Sequence, residues 1–135
     1  GSGVVYCLTK ADCDLVTDWL NENNIKSEFL LFAPVKNETE GIFYTLFLEI
    51  KKDGRKFNWK QIENEMNSSL CKAFHYEYAY KLGQLRKVRV FLIEKDGLKT
   101  YTAEKSKKQK IGDIKYRLLD KNFGWENKFA GGFGE

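Results

Sequence analysis

The stretch IGDIKYRLL, residues 111–119, puts two cations where chemistry could use them. Lys115 and Arg117 sit among Ile111, Ile114, Leu118 and Leu119, residues suited to a core. The charged run EKSKKQK precedes them, and its Lys105, Lys107, Lys108 and Lys110 read as solvated and mobile. Lys115 has two readings. Its stem lies over a packed edge with the ammonium in water, or the apolar frame exists to hold that ammonium in one place.

Few other residues offer chemistry. His75 is the only histidine, so a metal site or a Cys–His pair would have to be built around it alone, and a packed or surface role is expected. Cys7, Cys13 and Cys71 lack metal-type pair spacing and read as small buried hydrophobes in a reducing, cytoplasmic compartment. The sequence contains no P-loop, G-x-S-x-G, H-E-x-x-H or dinucleotide fingerprint. GGFG at 131–134 has no following helix. These residues make no self-sufficient catalytic centre, although they suit a piece of one.

The chain has 135 residues, 42% hydrophobic and 31% charged, which suits one globular domain with a real core. No apolar run approaches the ~20 residues of a membrane helix, and no signal peptide is visible. Residues 1–3, GSG, read as a cloning scar. The net charge of +4 is unevenly spread: residues 1–80 carry 9 Lys/Arg against 12 Asp/Glu, residues 81–135 carry 14 against 7. The basic C-terminal portion favours an anionic partner or forms a solvated face.

The elements that must position Lys115 can be read in order. VVYC (4–7) suits a short strand. Thr9 caps a helix with Asp12 in its first turn, and Ala11, Leu15, Val16, Trp19 and Leu20 fall on its buried face. That helix ends near NENN, where asparagine tolerates a left-handed turn. SEFLLFAPV (27–35) reads as a central strand, with Pro34 at its end or at a bulge. IFYTLFLEI (42–50) follows as its hairpin partner. Asn58 caps a second helix with Gln61 three residues on, its buried face carrying Trp59, Ile62, Met66, Leu70 and Phe74. RKVRVFLIE (86–94) is the last clear strand, followed by a short helix near 98–103. Residues 120–135 read as a loose tail because FAGGFGE ends the chain with three glycines in five residues.

Strand, helix, strand, strand, helix, strand is the ferredoxin-like order. The expectation is an α+β domain over residues 4–119, an antiparallel sheet with two helices on one face plus a basic C-terminal extension. RNA-recognition domains share this order. Their aromatic signature is not met, because Glu40 takes the basic position and Gly41, Phe43, Tyr44 and Phe47 have the wrong spacing. The basic run has no interleaved aromatics, so nucleic acid is not an expected partner.

The series IKSEFLLFAP, GIFYTLFLEI, NSSLCKAFHYEY, LGQLRKVRVFLIEKDGLKTY and GDIKYRLL resembles the C-terminal domain of the auxin-responsive Gretchen Hagen family of acyl acid–amido synthetases. The correspondence rests on residues 27–29, 44–49, 88–93, Gly97, 99–101 and 112–115, and runs through about residues 8–119. Family members commonly follow the lysine of the last motif with x-Pro-Arg, where this chain has Tyr116, Arg117 and Leu118.

The resemblance implies an ATP-dependent ligase of the adenylate-forming superfamily. A large N-terminal domain of the same polypeptide would bind ATP, Mg2+ and a carboxylic acid. The small C-terminal domain would close over them as a lid, then rotate so that an amino acid can capture the acyl-adenylate. Lys115 matches the lid lysine and is the expected catalytic residue, with Arg117, Lys110 and Gly112 expected near the nucleotide and no metal ligand in this domain. The competing expectation is a stand-alone ferredoxin-like module whose basic C-terminal third contacts an acidic protein or nucleic acid.

Overall fold

The computed structural model describes residues 7–134. Most of the expected strand at 4–7 therefore lies outside the described residues. Helix α1 (Lys10–Glu22) starts as expected: Thr9 accepts from the Asp12 amide, and the Asp12 carboxylate accepts from the Thr9 amide. It ends at Asn23, and Asn24 takes the left-handed conformation (φ 58°). Its buried residues are Cys13, Val16 and Leu20, whereas Leu15 is half exposed.

Strands β1 (Ser27–Asn37) and β2 (Gly41–Ile50) form the expected antiparallel hairpin. The Asn37 side chain accepts from the amides of Thr39 and Glu40 and so fixes the turn. Pro34 lies inside β1, opposite Tyr44, rather than at its end. Two residues earlier, Phe32 uses its amide and carbonyl on Leu118 and Asp120, not on β2. The two-residue period points the Pro34 nitrogen to that same outer edge, so its missing N–H removes no bond to β2.

The second expected helix is two. Helix α2 (Trp59–Leu70) is capped by Asn58, and α3 (Phe74–Lys81) follows after a short turn. Phe74 begins α3 and is 72% exposed, so it is not part of the buried stripe. Strand β3 (Arg89–Ile93) then pairs with β2. This pairing is parallel, which corrects the all-antiparallel expectation: a two-helix crossover returns the chain to the same end of the sheet. The domain is α+β with a four-stranded mixed sheet of order β1-β2-β3-β4, consistent with a ferredoxin-like arrangement.

Both faces of the sheet are covered. Helices α1, α2 and α3 pack with Leu30, Phe32, Tyr44, Leu46 and Val90 on one face. The other face, built on Phe29, Leu31, Phe47 and Phe91, receives Tyr101 from α4 (Gly97–Ser106) together with Trp125 and Phe129. The Glu49 carboxylate accepts from the Gly97 amide at 2.8 Å and fixes where α4 begins.

Residues 120–134 are not a loose tail. Trp125 and Phe129 are buried, stacked 5.3 Å apart, and β4 (Gly131–Phe133) pairs antiparallel with β3. Cys7 and Cys13 are buried free thiols; Cys71 is only partly buried, a departure from the expectation. His75 lies on the surface against Phe74. No helix among the described residues is long and apolar enough to cross a membrane.

Candidate functional site

The segment carrying Lys115 leaves α4 through the basic run and a single 3-10 turn, Ile111–Asp113. Ile111 does not anchor it, being 74% exposed. The anchors come later. Ile114 packs on the Phe29–Trp125 side of the sheet, and Leu118 and Leu119 on the opposite side.

Hydrogen bonds then pin the backbone residue by residue. The Tyr101 hydroxyl donates to the Lys115 carbonyl and accepts from the Arg117 amide, both at 3.3 Å. Between them, Tyr116 donates to the Leu30 carbonyl. The Leu118 carbonyl accepts from the Phe32 amide at 2.7 Å, and the Asp120 amide donates to the Phe32 carbonyl at 2.8 Å. Residues 118–120 thus run parallel along the outer edge of β1. Tyr101 is itself fixed by stacking on Trp125 at 5.6 Å and by edge contact with Tyr116 at 5.7 Å.

Extended backbone alternates its side chains. Tyr116 reaches inward to Leu30, while Lys115 and Arg117 remain exposed and line one cleft of about 460 Å³. Lys105, Lys121 and the carboxylates of Asp113 and Asp120 line it too, so four cations face two carboxylates. Buried Asp120 forms an ion pair with Lys105, whose ammonium also lies 5.6 Å from the Tyr101 ring centroid. Among the described residues neither Lys115 nor Arg117 has an ion-pair partner, so the cleft keeps uncompensated positive charge. Burial, followed by the charge of Tyr101, pushes the Tyr116 phenol up to about 12.

Lys115 and Arg117 are therefore brought together as the sequence suggested. Lys110 and Gly112 are exposed on the preceding turn and do not line the cleft. A methyl group at Gly112 would meet nothing within 4 Å, so packing does not require glycine there. Lys107, Lys108 and Lys110 of the basic run are exposed as expected, but Lys105 is half-buried and two of these lysines are paired. Besides the Lys105 pair, Glu104 binds Lys107 and Lys128, and hydrogen bonds from these two lysines, Lys107 first, hold its carboxyl below the usual range. Tyr101 and Asp120 are the residues that sequence reasoning missed. No local signal marks them, because their roles arise from contacts with segments 14 or more residues away.

No group of His, Cys, Asp or Glu among the described residues could hold a metal ion. No protein-family model and no curated protein matches the sequence. Among solved structures, a similar fold occurs in a GH3.15 acyl acid amido synthetase, with a TM-score of 0.60 and 8% identity. The match covers 83% of this chain and 21% of that one. The chain thus shares its fold with part of that enzyme and spans about one fifth of its length.

Proposed function

We propose that this chain is the mobile C-terminal lid of a longer, cytoplasmic acyl-adenylate-forming acid–amido synthetase, and that Lys115 is its catalytic residue. One observation carries the reading. Two cations without an ion-pair partner among the described residues project from a backbone pinned at residues 115, 116, 117, 118 and 120, on a fold like that of part of an amido synthetase.

In adenylation a carboxylate oxygen attacks the α-phosphorus of ATP and pyrophosphate leaves. Negative charge accumulates on the non-bridging and leaving oxygens, and an ammonium held beside them stabilises it most where water is excluded. The pinned backbone limits the reorganisation needed to place Lys115 there. Arg117 offers a planar fork of donors for a phosphate. Lys110 and Gly112 join as rim groups on the turn. The cations suit ATP phosphates, and residues of the N-terminal domain would hold Mg2+. The exposed 3-10 turn and charged run are the segments able to move as the lid rotates for amide formation with an amino acid.

The longer polypeptide should release pyrophosphate from ATP in the presence of its carboxylic acid, while residues 1–135 alone should match the blank across a panel of acids. Activity of the isolated chain that persists through stringent repurification would overturn the reading.

A further inference from the structure

A second cleft, of about 870 Å³, opens where β2 and β3 begin and α3 ends, and shares no lining residue with the Lys115 cleft. Its walls carry Lys60, Lys81, Arg86, Lys87 and Arg89. This accounts for the RKVR segment, which the lid reading leaves unused.

Arg86 and Lys87 are oriented by groups that do not neutralise them. Arg86 Nε donates to the Glu40 backbone carbonyl at 3.0 Å. Lys87 donates to the Asn64 side-chain oxygen at 2.6 Å. The Arg89 guanidinium lies 4.3 Å from the Phe133 ring centroid and 5.8 Å from that of Phe43. Lys60 has no ion-pair partner among the described residues.

Two carboxylates line the same cleft. Glu40 makes one 3.4 Å pair with Arg89. Glu63 is buried and turned inward, accepting from the Val90 amide at 2.7 Å. Lys81 pairs with Glu77 on its own helix. Arg86 and Lys60 therefore line this space without a carboxylate partner among the described residues, and Lys87 lines it with its ammonium held at Asn64. Arg86 is already held in place by the Glu40 carbonyl, and a small ligand fits the volume.

We infer that this cleft is a binding site for a small phosphoryl-bearing anion with at least two negative charges. Guanidinium forks match phosphoryl oxygens in pairs, and the ammonium groups add point charges beside them. Orientation in advance lowers the ordering cost of binding. The site does not depend on the adenylation reading and stands even if that reading fails.

The test follows backbone amide shifts of the 135-residue chain during titration with inorganic pyrophosphate at physiological salt. Saturable shifts should centre on residues 60 and 86–89. Arg86→Ala combined with Lys87→Ala should weaken binding about tenfold or more, the loss expected for a charge-assisted hydrogen bond. Lys108→Ala with Lys110→Ala should change it less than about twofold, because exposed distant charges are screened. Lys115→Ala with Arg117→Ala should likewise leave these shifts intact, which separates this site from the lid cleft. Matching thermal unfolding of the variants excludes misfolding as the cause.

The inference is overturned by an absence of saturable shifts, by shifts confined to residues 115–121, or by equal losses in all three variant pairs. Tighter binding of a single-stranded oligonucleotide than of pyrophosphate also overturns it, making the cleft part of a nucleic-acid surface.

Discussion

Tyr116 shows how one side chain can fix a backbone segment. Its hydroxyl ties the segment to β1 by donating to the Leu30 carbonyl. Nearly half its surface is exposed, but the hydroxyl end is turned inward, and burial raises its pKa from 10.0 to about 12. The protonated phenol is the form the fold favours. Its contribution is complete below pH 10 and is lost as pH rises through about 12. Urea unfolding across that range should therefore show a smaller alkaline loss in Tyr116→Phe than in the wild type. At neutral pH the variant should be less stable by about 1 kcal/mol, because the Leu30 carbonyl loses its donor. An identical alkaline loss in both proteins would show that Tyr116 does not titrate against the fold.

At the scale of elements, β4 is the least expected feature. Glycine in FAGGFGE suggested looseness, yet Gly131 is there for close approach: at φ 145°, a Cβ would stand 1.9 Å from the Leu92 carbonyl oxygen. Gly131→Ala should cost roughly 2–4 kcal/mol by combining backbone strain with overpacking. Chemical denaturation would measure it, and a loss within error would show that β4 is dispensable. The sequence did hold a signal for this region, the four-residue spacing of Trp125 and Phe129, which places both rings on one side of a helical turn. The Thr9 cap, the Asn23–Asn24 stop and the β1–β2 hairpin were legible because neighbouring residues determine them. The parallel β2–β3 pairing was not, since a crossover's landing place depends on the whole core. For the same reason Lys115 and Arg117 could be picked out as a pair, while Tyr101 and Asp120, which hold and flank them, could not.

At the scale of the molecule, the sheet holds two basic clefts apart. One lies along the outer edge of β1 and the other at the start of β3. If the first belongs to a lid, the chain's chemistry is completed only against another domain, which fits a match to one fifth of a synthetase. The most direct test replaces Lys115 by alanine in the longer polypeptide and measures the two half-reactions separately. Removing a preoriented charge from a water-excluded site costs about 10²–10³-fold in rate. Pyrophosphate exchange should fall by about that factor in Lys115→Ala, while amine capture of a synthetic acyl-adenylate stays near wild type. Equal losses in both halves would indicate a docking defect instead, and no loss in either would make Lys115 an ordinary surface lysine and contradict the lid mechanism.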